Sequence, residues 1–209
     1  MDEVIYFIGG PPRVGKSIIA TEVTRRRGIS AVSTDSLGAV LETVVDPERD
    51  PGLFAVSRFN EMAEADRIEL LLKNPTRRID YQLEESAAVW RAVEPFVLTE
   101  QEEGRDLVTE GVAILPELVN RLVGVDYRVV FVGNQAHTQE HNIKRSAKEN
   151  KHDWMRHASD EYAEAFAGFV GEMSRYIERE AHRYGFQYLE LQGKPFPAAV
   201  AEAADVLLG

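Results

Sequence analysis

The stretch VIYFIGGPPRVGKS, residues 4–17, decides the fold of this chain. From Gly10 to Ser17 it matches the pattern G-x-x-x-x-G-K-[ST] at every fixed position. The apolar, β-branched and aromatic run at residues 4–8 predicts a strand that is buried on both faces of a parallel sheet. Residues 16–27 predict a helix that ends at a glycine. A strand, this loop and a helix in that order predict a phosphate-binding loop, the P-loop.

The residues of the P-loop have separate expected roles. Glycines let successive backbone N–H groups turn inward onto phosphates, and the dipole of the following helix adds to the attraction. Pro11 and Pro12 have no N–H group, so most contacts must come from later in the loop. The expected nucleotide-binding residues are Gly10, Arg13, Val14, Gly15, Lys16 and Ser17.

Lys16 and Ser17 carry the chemistry of this loop. The Lys16 ammonium is expected to neutralise the β- and γ-phosphates of ATP, and the Ser17 hydroxyl is expected to ligate Mg²⁺. The alternative is a glycine-rich turn with a surface lysine. A GTPase would carry an Asn-Lys-x-Asp motif after a later strand, but Val-Gly-Asn-Gln stands at residues 132–135, so ATP is favoured over GTP.

The composition limits the classes of function. The chain has 209 residues, with 24 Lys and Arg against 35 Asp and Glu, which gives a net charge of -11. Such a charge repels a nucleic acid backbone, so nucleic acid is not the expected partner. The chain has no cysteine, and its first apolar run is too short for a membrane span or the core of a signal peptide. We expect a cytoplasmic protein with no membrane association.

Further strands and helices alternate along the chain, which predicts an α/β domain with a parallel sheet covered on both sides. Strands are predicted at residues 30–34, 107–109, 127–132 and 186–191, and helices at 35–45, 55–73 and 81–98. We expect one domain over residues 1–209, with a helical acceptor-binding insertion at about 46–105 and a basic lid at about 135–157.

Carboxylates follow two of the predicted strands. Asp35 comes directly after the second strand, and Glu110-Gly111-Val112 follows the third. With the P-loop, these residues resemble P-loop kinases of small hydroxyl compounds, including 2-phosphoglycerate kinase-like proteins, chloramphenicol phosphotransferase and the zeta toxins. One difference stands out, because a His commonly follows the Val in 2-phosphoglycerate kinase-like sequences and Ala113 stands here.

The resemblance implies an adenylate or shikimate kinase-like fold with the strand order 2-3-1-4-5. It also implies that Asp35 is the general base that accepts the proton of the attacking hydroxyl. The alternative role for Asp35 is the N-cap of a helix that begins at Ser36. Glu110 is expected to bind Mg²⁺ through water or to contact the acceptor, and its alternative is a strand-end carboxylate in water.

A basic window at residues 137–152 follows the fourth predicted strand. Lys144, Arg145, Lys148 and Lys151 recur at helical spacing, and kinases of this class close a basic lid over the transferred phosphoryl group. Arg145 is the expected catalytic lid residue, and the alternative is a solvated helix face. The same window contains His-Thr-Gln-Glu-His at residues 137–141, an H-x-x-E-H zinc pattern that we weigh far below the P-loop.

The predicted insertion carries arginines that could hold an anionic acceptor, and residues 188–195 resemble the strand and loop that border adenine in adenylate kinase-like folds. The candidate arginines are Arg58, Arg67, Arg77, Arg78 and Arg91. The sequence therefore predicts an ATP- and Mg²⁺-dependent kinase that acts on a hydroxyl of a small metabolite. Anionic metabolites are among the expected acceptors. The alternatives are a nucleotide-dependent switch without an acceptor and a polynucleotide 5′-hydroxyl kinase.

Overall fold

A computed structural model describes residues 3–136, 139–149, 151 and 153–209 of the chain, without the side chains of residues 139–142. Strands and helices alternate through it. In chain order they are β1 (Ile5–Gly9), α1 (Lys16–Arg27), β2 (Ser30–Ser33), α2 (Thr34–Val44), a 3₁₀ turn (Pro51–Phe54), α3 (Ala55–Asn60), α4 (Glu64–Lys73), α5 (Pro75–Glu102), β3 (Leu107–Gly111), α6 (Pro116–Val119), β4 (Tyr127–Gly133), α7 (Gln139–Glu149), α8 (Asp160–Arg183), β5 (Gln187–Glu190) and α9 (Phe196–Leu208).

The strands form a five-stranded sheet in the order β2-β3-β1-β4-β5, and every neighbouring pair is parallel. The predicted order 2-3-1-4-5 is confirmed. In this register Gly9, the last residue of β1, pairs with Gly111 on β3 and with Phe131 on β4. The loops that follow β1, β2 and β3 therefore leave the sheet at one edge, where open α/β sheets bind their ligands.

The central strand β1 is covered on both faces. Ile5, Tyr6, Phe7 and Ile8 are at most 1% exposed, and successive side chains of a strand point to opposite faces. Helix α1 packs against β3 and α9, and α8 packs against β4 and β5. Burial of each large apolar side chain contributes about 1.5–3 kcal/mol, so this strand anchors the P-loop firmly.

The helical insertion differs from its prediction at two places. The helix predicted over residues 55–73 is two helices, α3 and α4, with a break near Met62. Helix α5 begins at Pro75, earlier than the predicted start at residue 81, and the Asn74 side chain caps it by accepting from the backbone N–H of Arg77. Proline is favoured in the first turn of a helix, so Pro75 begins the helix directly after its Asn74 cap.

Among the residues that the structure describes, no helix is long and apolar enough to cross a membrane.

Candidate active site

The P-loop is shaped by glycines at positions that side chains cannot occupy. Gly10 has a φ of +150°, and a Cβ there would lie 2.2 Å from the carbonyl oxygen of Val132 on β4. Gly15 has a φ of +97° and precedes α1 directly. Arg13 also has a positive φ, +68°. These conformations turn the loop back on itself at the N-terminus of α1, as a phosphate-binding loop requires.

Lys16 lies inside this loop, where it is 7% exposed. Its Nζ donates to the carbonyl oxygen of Pro11 at 2.7 Å. Burial lowers the pKa of the Lys16 ammonium, while the nearby carboxylates of Asp35 and Glu110 act in the opposite direction. Since both carboxylates act on the Lys16 ammonium, Lys16, Asp35 and Glu110 lie near one another at this edge of the sheet.

Ser17 and Glu110 meet across the gap between α1 and β3. The Ser17 hydroxyl donates to Glu110 Oε1 at 3.1 Å, and Glu110 is 7% exposed. Hydroxyl and carboxylate oxygens are ligands that Mg²⁺ prefers, and nucleotide sites hold Mg²⁺ with one or two protein ligands plus phosphates. Within the described residues there is no group of three or more His, Cys, Asp or Glu that could hold a metal ion.

Asp35 is not the N-cap of its helix, so the capping alternative is wrong. Helix α2 begins at Thr34, and Ser33 is the cap, because its Oγ accepts from the backbone N–H of Asp35 at 3.2 Å. The Asp35 side chain is exposed in the first turn of the helix. Since Ser33 provides the cap, the Asp35 carboxylate is available for another role.

Asp35 lines a cleft of about 160 Å³ between α2, α5 and the end of β3. Thr34 lines one end of this cleft, where β3 approaches α2 closely. A Cβ on Gly111 would lie only 1.8 Å from Thr34 Oγ1. Ala113, at the position where the resembling kinases carry His, also lines this cleft. Asp35 and Ala113 are therefore wall residues of one cleft.

Glu85 forms the acidic wall of the same cleft. Burial raises its pKa from 4.5 to about 7, against the lowering effects of the Val56 N–H group and of Arg78. The Val56 N–H donates to Glu85 Oε2 at 3.0 Å. The sequence analysis did not single out Glu85, because a Glu within a long helix gives no signal that it is buried.

The segment predicted as a lid is joined to the P-loop by Arg13. The Arg13 guanidinium bonds to Asp153 Oδ2 at 2.5 Å, Ser146 Oγ at 3.1 Å and the carbonyl oxygen of Ile143 at 3.3 Å. The side chains of the Arg13–Asp153 pair are 14% and 6% exposed. Asp153 was missed in the sequence because it stands among basic residues.

Arg145 is exposed on α7, and no contact between described residues brings it to the P-loop. Its neighbour Lys144 pairs with Asp160 at 3.0 Å. The zinc pattern at residues 137–141 lies outside the described residues and side chains. A catalytic role for Arg145 therefore stays a prediction.

These features define a P-loop fold of the adenylate and shikimate kinase type. Two solved structures share it: a gluconokinase from Sinorhizobium meliloti, with a TM-score of 0.54 and 13% identity over 99% of this chain and 92% of that one, and a shikimate kinase from Bacteroides thetaiotaomicron, with a TM-score of 0.52 and 14% identity over 99% of each chain. At these identities the likeness shows the fold alone. No family model matches the chain.

Among curated proteins the chain resembles 2-phosphoglycerate kinases, which confirms the resemblance drawn from the P-loop, Asp35 and Glu110. It is 27% identical to the 2-phosphoglycerate kinase of Methanothermobacter thermautotrophicus over 198 residues, 90% of this chain and 61% of that protein. It is 31% identical to the enzyme of Methanopyrus kandleri over 142 residues, 63% of this chain and 38% of that protein. The chain thus spans less than two thirds of the length of these relatives.

Proposed function

We propose that this chain is an ATP-dependent kinase that transfers the γ-phosphoryl group to a hydroxyl of a small metabolite. The observation that carries the proposal is the meeting of Lys16, the Ser17–Glu110 pair and Asp35 at one edge of the sheet, beside a cleft. The 2-phosphoglycerate kinases among its relatives support the same class of reaction.

The P-loop residues bind and hold ATP in this proposal. Backbone N–H groups from Arg13 to Ser17 and the Lys16 ammonium hold the phosphates, since a helix N-terminus and a lysine together favour anions. Ser17, with Glu110 directly or through water, would hold Mg²⁺. The ion would supply positive charge that offsets charge on the phosphate oxygens.

Asp35 accepts the proton of the acceptor hydroxyl. A bond forms between the hydroxyl oxygen and the γ-phosphorus, the bond from the γ-phosphorus to the bridging oxygen of ADP breaks, and the proton goes to the Asp35 carboxylate. Phosphoryl transfer depends mainly on positioning and charge, so a base at the mouth of the acceptor cleft is well placed. Arg145, carried over the site when α7 moves, adds positive charge to the transferred group in the same proposal.

Calorimetric titration with Mg-ATP and Mg-GTP, followed by ATP consumption with a panel of hydroxylated metabolites, tests this function. We expect ATP to bind more tightly than GTP and ADP release to depend on one class of acceptor. Tight ATP binding with slow, acceptor-independent hydrolysis would instead favour the nucleotide switch. Salt-dependent binding of DNA with phosphorylation of its 5′-hydroxyl would favour the polynucleotide kinase.

Asp35→Asn separates binding from transfer. We expect this variant to keep its affinity for Mg-ATP and to lose about 10²–10⁴-fold in turnover, the usual contribution of a general base. Asp126→Asn, a change of the same kind at an exposed site before β4, is the matched control and should leave both unchanged. Wild-type turnover in Asp35→Asn would remove Asp35 as the base.

A cytoplasmic location, where ATP is available, belongs to the same proposal.

A further inference from the structure

Two of the five candidate arginines in the helical insertion differ from the other three. Arg58, Arg77 and Arg91 are exposed, and each lies within 4.0 Å of an acidic side chain. Arg78 is 4% exposed, and the side chain of Arg67 is 19% exposed. An arginine is rarely buried unless it is paired, so the surroundings of these two need an explanation.

Arg78 is buried, and no described carboxylate forms a salt bridge with it. Its guanidinium is held between the rings of Phe59 and Phe169, whose centroids lie 4.9 and 4.7 Å away. Both terminal nitrogens donate to Gln82 Oε1, but at 3.4 Å, longer than an ordinary hydrogen bond. Its Nε has no hydrogen-bond partner among the described residues. Most of the donor capacity of this guanidinium is therefore unused.

Arg67 and Tyr162 lie beside Arg78 and are also incompletely bonded. The Arg67 guanidinium lies 4.7 Å from the centroid of the Tyr162 ring and 3.9 Å from Glu64 Oε2. Within the described part of the chain, neither Arg67 Nε nor the hydroxyl of Tyr162 has a hydrogen-bond partner, and Tyr162 is 1% exposed. Both guanidinium groups act electrostatically on that hydroxyl, and Arg67 also approaches it as a donor, but outside ordinary hydrogen-bond geometry. The Arg67–Arg78–Tyr162 cluster thus gathers three unpartnered polar atoms and two positive charges.

Such a cluster is costly unless something else compensates it. A buried polar atom without a partner costs about 1–3 kcal/mol, and an unpaired charge costs more. Burial lowers the pKa of Arg78 to about 10, so the guanidinium is still charged at neutral pH. The nearby carboxyl of Glu85 compensates only in part, because burial raises its pKa to about 7. A negatively charged group bound at the cluster would therefore stabilise it.

The cluster adjoins the acceptor cleft through Gln82. This residue lines the cleft together with Asp35, and it accepts the hydrogen bonds of Arg78 from one turn further along α5. One turn of a helix rises about 5.4 Å, a distance that a small metabolite spans. A group bound at the cluster would leave the rest of the same molecule in the cleft.

We propose that the Arg67–Arg78–Tyr162 cluster is the subsite for an anionic group of the acceptor, a carboxylate or a phosphate ester. Guanidinium groups bind both kinds of oxyanion through parallel N–H bonds, and a phenol hydroxyl adds a further donor. The inference rests on the proposed kinase function, because it assigns the cleft beside Asp35 to the acceptor. It places the anion in the helical insertion, away from the P-loop.

Calorimetric titration of protein saturated with Mg-ADP tests the subsite, since ADP keeps added anions out of the P-loop. The probes are inorganic phosphate, glycerate, 2-phosphoglycerate and, as the neutral compound, glycerol. We expect an anion to bind more tightly than glycerol, and Arg78→Met or Arg67→Met to weaken it about tenfold or more. Arg77→Met, the matched control on the same helix, should bind as the wild type does. Glycerate and phosphate show which anionic group is preferred.

Wild-type anion affinity in both Arg78→Met and Arg67→Met would overturn the subsite, and so would the absence of anion binding to the wild type. If circular dichroism shows that Arg78→Met is unfolded, Arg78→Lys and Arg67→Met decide the question. ATP consumption distinguishes the two proposals. Arginine-dependent anion binding without phosphoryl transfer would contradict the kinase function and support the subsite. Transfer to neutral acceptors that is insensitive to Arg78→Met would support the kinase function and contradict the subsite.

Discussion

At the scale of a single residue, Lys16 is the side chain on which we expect nucleotide binding to depend most. Its ammonium is buried and bonded to the Pro11 carbonyl, a contact that bound phosphates would replace. We expect Lys16→Ala to weaken Mg-ATP binding by roughly 10- to 100-fold, because a charged hydrogen bond contributes about 1.5–3 kcal/mol. Calorimetry measures this. Lys73→Ala, an exposed lysine paired with Glu69, is the control, and equal affinity in both variants would contradict the P-loop assignment.

Gly10 is the residue where the loop touches the sheet most closely. We expect Gly10→Ala to lower the free energy of unfolding by about 2 kcal/mol or more, because its φ is +150° and its Cβ would overlap the Val132 carbonyl. Gly168→Ala, in the open on α8, should be neutral or stabilising by up to about 1 kcal/mol. Urea unfolding compares the two, and an undisturbed Gly10→Ala would mean that this contact is absent in solution.

At the scale of an element, α5 carries a carboxyl group whose ionisation opposes folding. Glu85 has a pKa of about 7 in the folded chain against 4.5 ordinarily, so the folded state holds this proton more tightly than the unfolded state does. Its contribution to the free energy of unfolding is therefore largest below pH 4.5 and falls, by about 1–3 kcal/mol, as the pH rises to 7.

Glu85→Gln should remove this pH dependence and make the protein more stable than the wild type at pH 8. The glutamine keeps an oxygen for the Val56 N–H group and has no charge to bury. Urea unfolding between pH 4.5 and 8 measures the difference, and Glu84→Gln, an exposed neighbour, is the control. A wild-type pH profile in Glu85→Gln would show that Glu85 is not buried as described.

The helices and strands were more predictable from the sequence than the contacts between them. The P-loop and the alternation of strands and helices predicted the fold. Glu110 was predicted as a carboxylate beside the P-loop; it lies near the end of β3 and accepts a hydrogen bond from Ser17. Contacts between distant segments were not predictable, because no local pattern marks them. Arg13 and Asp153 lie 140 residues apart in the chain. The interactions of Tyr162 with the two arginines form only when α4, α5 and α8 pack together. The alternative role for Asp35, that of a helix cap, was wrong because Ser33, two residues earlier, caps α2.

At the scale of the whole molecule, the Arg13–Asp153 pair joins the nucleotide site to the segment that follows α7. We expect Asp153→Asn to destabilise the protein by about 1–3 kcal/mol and to speed hydrogen exchange in α7, because a nearly buried guanidinium loses this carboxylate. Asp160→Asn breaks the exposed pair with Lys144 and should change little. Hydrogen exchange by mass spectrometry separates the two, and equal exchange in both variants would show that the pair does not hold this segment.

The most direct test of the central claim is the transfer of phosphate itself, followed by ADP release and by mass spectrometry of the acceptor, in wild-type protein and in Asp35→Asn. The account predicts a phosphorylated acceptor and ADP in equal amounts with the wild type, and bound ATP without product with Asp35→Asn. ADP release that is independent of every hydroxylated acceptor, or equal product from both proteins, would contradict it.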